Sequence, residues 1–126
     1  MKFLFTFLLS ISLFSQNSFS DDLKEVIDNG IRDEKNIQRD SYRNPYETLS
    51  FFGIRHNMKV VELSPGSGWY TEILAQYLHD PGMLIAAHFD KDSEISYFKR
   101  GRANFEKKMV SNLSLIHISE PTRPLD

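Results

Sequence analysis

The stretch Val60-Val61-Glu62-Leu63-Ser64-Pro65-Gly66-Ser67-Gly68-Trp69-Tyr70 constrains the fold more than any other part of the chain. It opens as a β-branched apolar run and closes as the start of a helical period, with two glycines between. Val60, Val61 and Leu63 lie within Met58 to Leu63, bounded by His56-Asn57 and Ser64-Pro65-Gly66, a pattern that predicts a buried parallel strand. Tyr70, Ile73, Leu74, Tyr77 and Leu78 then recur at three- and four-residue steps. They predict a helix with one apolar face, stopped by His79-Asp80-Pro81-Gly82. Met83 to Phe89 is a second apolar run, so the order is strand, glycine turn, helix, strand. That is a βαβ unit, whose crossover sets both strands parallel in one sheet. The fold class is α/β, parallel strands with flanking helices.

A strand that turns at once into a helix needs backbone free of bulk. Gly66 and Gly68 supply it, because glycine enters left-handed conformations at little steric cost. The helix that follows aims unpaired N–H groups at whatever occupies the turn. Glu62, at the carboxyl end of the strand, is placed toward the crevice where open α/β sheets bind ligands. A carboxylate there favours a cationic or hydroxyl-bearing ligand over a phosphate. The turn has no Lys-Ser/Thr pair, which argues against a phosphate-binding P-loop, and no Gly-x-Gly-x-x-Gly spacing, which argues against a nicotinamide dehydrogenase.

The flanking segments are less regular. Leu23, Val26, Ile27 and Ile31 predict an amphipathic helix interrupted or ended near Asn29-Gly30. Asn44-Pro45 with Glu47 resembles a capping box, Leu49 and Phe52 facing inward and Gly53 ending the helix. Asp92 or Ser93 is expected to cap a later helix carrying Ile95, Phe98, Phe105 and Met109, with Gly101 inside it and Arg102 interrupting its apolar stripe. Lys99, Arg100, Arg102, Lys107 and Lys108 read as its solvated face. Trp69 and Tyr70 read as core or pocket wall. His56, His79 and His117 show no ligand partners at metal-site spacing and read as surface or loop residues, so no metal is assigned; His88 reads as pocket lining.

Met1 to Ser20 has the form of a secretory signal: Lys2, an apolar run from Phe3 to Phe14, and small residues at Ser18 and Ser20. The run is about a dozen residues, short of the roughly 20 that a spanning helix needs. Cleavage is expected before Asp21, which predicts a periplasmic or secreted protein with no membrane attachment. The absence of cysteine excludes a disulfide, a thiolate zinc site, a cysteine nucleophile and a cysteine-linked lipid. A net charge of −2, one unit more acidic without Lys2, argues against a general grip on nucleic acid.

Glu62-x-Ser64-Pro65-Gly66-Ser67-Gly68-Trp69-Tyr70 resembles the first motif of class I S-adenosylmethionine-dependent methyltransferases. With Arg39-Asp40-Ser41-Tyr42-Arg43-Asn44-Pro45, Glu47-Thr48-Leu49, Phe51-Phe52-Gly53-Ile54 and Ala86-Ala87-His88-Phe89-Asp90, the chain is similar to a group of exported bacterial methyltransferases over residues 39–110. The resemblance implies a Rossmann-like fold and S-adenosylmethionine as cofactor. It places Glu62 near the methionine amino group or a water bound to it, and Ser64, Pro65, Gly66, Ser67 and Gly68 along the methionine and ribose. The end of the second strand then reaches the ribose and adenine, through His88, where the class usually has an acid, or through Asp90. Ser64 stands where the usual motif has its first glycine. No catalytic base and no methyl acceptor is implied. The alternative is a non-catalytic exported binding module on the same fold.

Ser114 to Pro124 matches no segment of that family and resembles translated sequencing-library adapter, so residues 113–126 are expected to be artefactual or disordered. Residues 21–112 are then the N-terminal part of a truncated methyltransferase-like domain. It is expected to be inactive alone, because two strands make a poor sheet.

Overall fold

The computed structural model describes residues 21–111 and 118–119, so the expected signal segment and most of the 113–126 tail lie outside the described residues. The elements run α1 (Leu23–Asn29), α2 (Glu34–Ile37), α3 (Asp40–Arg43), α4 (Pro45–Phe51), β1 (Lys59–Leu63), α5 (Trp69–Tyr77), β2 (Met83–Ala87), α6 (Ser96–Ser111) and β3 (Ile118–Ser119). β1 and β2 pair in parallel from Lys59↔Met83 to Leu63↔Ala87, joined by α5. β3, within the tail, pairs in parallel with the other edge of β2, at Leu84↔Ile118 and Ile85↔Ser119. The mixed α/β order and the parallel strands follow the periodicity of the sequence.

The core gathers where α5 meets β2 on one side and α1 on the other. Leu23 and Val26 of α1, Leu49 of α4, Ile73 and Leu74 of α5, and Leu84 of β2 are buried there together. Ile73 is fully enclosed and Leu74 nearly so, each worth roughly 2–3 kcal/mol of burial. α5 is enclosed well beyond its apolar stripe, since Thr71, Glu72 and Ala75 are buried as well. No helix among the described residues is long and apolar enough to cross a membrane.

Four expectations are corrected. β1 is covered on one face only: Val60 and Glu62, partners of the buried Leu84 and Ala86, face the helices, while Val61 is 55% and Leu63 77% exposed. Alternation puts i and i+2 on one face, so an apolar run does not by itself mean a strand buried on both. Asn44 makes no side-chain cap; it adopts φ 46° where α3 turns into α4, a left-handed kink that short polar residues tolerate. Phe52 follows α4 and is 67% exposed, although Leu49 is buried and Gly53, at φ 66°, does end that segment. α6 begins at Ser96, and Ser93 instead accepts the Ile95 N–H in the preceding loop. Gly101 lies inside α6 as expected, whereas Ile95 falls outside it and is 55% exposed.

Candidate functional site

β1 feeds directly into the turn. The Ser64 N–H extends the ladder to the Ala87 carbonyl at 2.8 Å, and the chain then reverses through three left-handed residues: Ser64 (φ 53°), Gly66 (φ 60°) and Gly68 (φ 81°). A tight bond from the Gly68 N–H to the Pro65 carbonyl closes the loop at 2.9 Å. Ser64 holds a conformation that costs a side-chain-bearing residue about 1–2 kcal/mol. The backbone thus has the shape of three glycines while the sequence supplies two.

The two glycines do different work. A Cβ built on Gly66 would have nothing nearer than the Ser64 carbonyl oxygen at 4.0 Å, so this position opens to solvent. A Cβ on Gly68 would meet Phe105 at 3.4 Å and Met109 and Thr71 at 3.5 Å. Gly68 is buried and so is Pro65, and the side-chain position of Gly68 faces α6. Ser64, Gly66 and Ser67 form the exposed rim.

Glu62 is half-buried at the strand end, where Thr71 donates its hydroxyl to Oε2 at 2.6 Å. Gly68 is the N-cap of α5 and has no side chain with which to cap it. Glu62 takes that place, because the Thr71 backbone N–H also bonds its carboxylate. Burial pushes the Glu62 carboxyl above its ordinary 4.5, and the two Thr71 bonds oppose that rise. The result is an anionic group beside the positive end of a helix.

His88 lies across the turn from Glu62. The Phe89 N–H donates to His88 Nδ1 at 2.7 Å, so Nε2 carries the ring proton and donates to the Gly66 carbonyl at 3.2 Å. The ring is half-buried against Phe105, centroids 5.0 Å apart. Asp90 does not share a strand face with it, since β2 ends at Ala87; its Oδ1 accepts the Asp92 N–H at 2.9 Å in an exposed turn.

Behind the turn is a polar network absent from the sequence reading. Glu72 is fully buried and accepts from Asn36 Nδ2 at 2.9 Å, while Asn36 offers its carbonyl to Trp69 Nε1 at 2.8 Å. Lys108 Nζ lies 2.5 Å from Glu72 and 3.3 Å from Asp33, and donates to the Ser67 carbonyl at 3.1 Å. Lys108 is therefore no solvated residue but the cation that ties α6 to the turn. Arg32 forks onto Asp40 at 2.6 and 2.8 Å with Nε 4.0 Å from Glu72, and Arg43 sits 4.8 Å over the Trp69 ring. The signal available in the sequence was Glu72 itself, the one charged residue of α5.

His56 and His79 are not isolated either. Their rings stack 4.7 Å apart and both approach Asp21, at the amino ends of the strands and away from the turn. His117 lies outside the described residues. Comparison of the chain with family profiles, curated proteins and solved structures gives no match.

Proposed function

We propose that this chain forms the S-adenosylmethionine seat of a Rossmann-like class I methyltransferase, exported to the periplasm or secreted after removal of residues 1–20. The observation that carries the reading is the left-handed run Ser64, Gly66, Gly68 between β1 and α5, with the Glu62 carboxylate at the strand tip and open space over Gly66. A flat, cationic, hydroxyl-bearing ligand suits that seat. Backbone at Ser64, Gly66 and Ser67 lets it lie close, Glu62 answers its ammonium or sulfonium charge, and His88 and Asp90 stand on the side where ribose and adenine extend. When bound, the sulfonium supplies an activated methyl group; the protein's share is orientation, which is where proximity gains arise. The acceptor and any proton-removing group are left unassigned, so the readout is binding.

The Glu62–Thr71 bond favours a second reading, a non-catalytic binding module, because a carboxylate committed to capping α5 leaves the ligand unspecified. Calorimetry with S-adenosylmethionine separates the two. The proposal expects saturable binding that Glu62→Ala weakens by about 1.5–3 kcal/mol, the worth of a charge-assisted hydrogen bond. Indifference to Glu62→Ala favours the module, and absence of heat at about millimolar ligand, a binding free energy weaker than roughly −4 kcal/mol, sinks the cofactor assignment.

A further inference from the structure

At the amino ends of the strands, three side chains from separate segments converge. Asp21 precedes α1, His56 lies in the loop entering β1, and His79 lies in the loop entering β2. His79 Nε2 is 2.8 Å and His56 Nδ1 3.6 Å from the same Asp21 oxygen, and the three candidate donor atoms all fall within 4.8 Å of one another. His56 Nδ1 is shut off from solvent and makes no hydrogen bond.

The backbone builds this convergence. The His79 N–H donates to the His56 carbonyl at 3.1 Å, and the Met83 N–H to the Met58 carbonyl at 3.0 Å. Gly82 allows the loops to close, since a Cβ there would lie 2.1 Å from the His56 carbonyl oxygen. The two imidazoles are thus held together by main chain before any ligand arrives, with rings 18° from parallel.

We infer that Asp21, His56 and His79 form a binding site for a divalent transition-metal ion of the zinc class, with a coordination position left for water. Two imidazole nitrogens and one carboxylate suit zinc and its neighbours, whereas calcium and magnesium favour oxygen alone. Zinc–ligand bonds of about 2.0–2.1 Å set tetrahedral donors about 3.4 Å apart. The observed 2.8 and 3.6 Å from the two histidines to Asp21 bracket that spacing, and the two imidazole donors lie within 4.8 Å of each other. Asp21 is exposed and also borders an open cavity of about 480 Å³ walled by Tyr46, Ser50, Ile54 and Tyr77, so solvent reaches the carboxylate side of the cluster. Bound metal would fasten the segment ahead of α1 to both strand-entry loops. The site stands apart from the glycine turn and owes nothing to the cofactor reading.

Calorimetry of the purified chain with zinc chloride tests it. The expected result is one equivalent bound with micromolar or tighter Kd, weakened at least about tenfold by Asp21→Asn and by His79→Gln and kept by His88→Gln at the other end of the sheet. Zinc should also raise the melting temperature of the unmodified protein and not that of the two ligand variants. No saturable binding up to about 0.1 mM zinc, or affinity unchanged in both ligand variants, overturns the assignment. Should either substitution unfold the chain, cobalt decides on the unmodified protein. Intense d–d bands of a tetrahedral ion support the site, and weak octahedral bands or none refute it.

Discussion

Substituting alanine at Gly66 and at Gly68 separates a ligand seat from a packing bend. Both residues are left-handed, at φ 60° and 81°, so each alanine carries about the same backbone penalty, roughly 1–2 kcal/mol. Sterics add little at either: the nearest atom to the new methyl is 4.0 Å away at Gly66, and at Gly68 the contacts of 3.4–3.5 Å are ordinary van der Waals approaches to Phe105, Met109 and Thr71. Urea unfolding should therefore show similar losses for the two variants, and melting temperature should fall by roughly 4–8 °C per kcal/mol. Affinity should diverge. The Gly66 methyl fills the open space over the turn where the proposed cofactor would lie against backbone, so Gly66→Ala is expected to weaken S-adenosylmethionine binding by at least about tenfold, 1.4 kcal/mol. The Gly68 methyl points under α6, and Gly68→Ala is expected to bind within about threefold of the unmodified protein. Equal affinity losses in the two variants, or an unaltered Kd in Gly66→Ala, would refute the reasoning, because strain alone would then account for everything the glycines do.

Ser64→Gly should raise stability by about 0.5–1 kcal/mol, the strain of a side chain at φ 53° less the entropy glycine loses on folding; a lower urea midpoint would contradict it. Lys108→Met removes the nearest cation from the fully buried Glu72 and is expected to cost about 3 kcal/mol in urea unfolding, so a loss under about 1 kcal/mol would show the pair to be dispensable. Burial holds the folded-state carboxyl of Glu62 above its ordinary 4.5, so its contribution to stability is full below that pH and declines as pH rises through the raised value. Glu62→Gln removes the decline, and the stability of the unmodified protein relative to the variant should fall as pH increases from about 4.5; a flat or rising difference goes against the assignment.

The elements nearest the turn were legible because local rules decide them. A β-branched run, two glycines and a 3.6-residue period leave few alternatives, and β1, α5 and β2 lie where those patterns place them. α2 and α3 were missed because residues 34–43 carry no apolar period, and Asn36 and Arg32 hold that segment through polar contacts to Trp69, Glu72 and Asp40. The capping role failed at Asn44 for a related reason: Asn44 satisfies the consensus but serves a left-handed kink, while an unpatterned acid, Glu62, bonds the Thr71 N–H and hydroxyl at the start of α5. Lys108 looked solvated because sequence shows which face a residue takes on its own helix, not what the neighbouring turn presents to it. The Asp21, His56 and His79 cluster joins positions 35 and 23 residues apart, a juxtaposition that only the close passage of the loops at Gly82 creates.

Resonance-by-resonance titration of the isotopically labelled protein with S-adenosylmethionine tests the cofactor seat most directly. The amides of Ser64, Gly66 and Ser67 and the imidazole of His88 should shift together along one saturation curve, with His56 and His79 unmoved. Saturable shifts confined to other surfaces, or none at the turn while the protein stays folded, would contradict it.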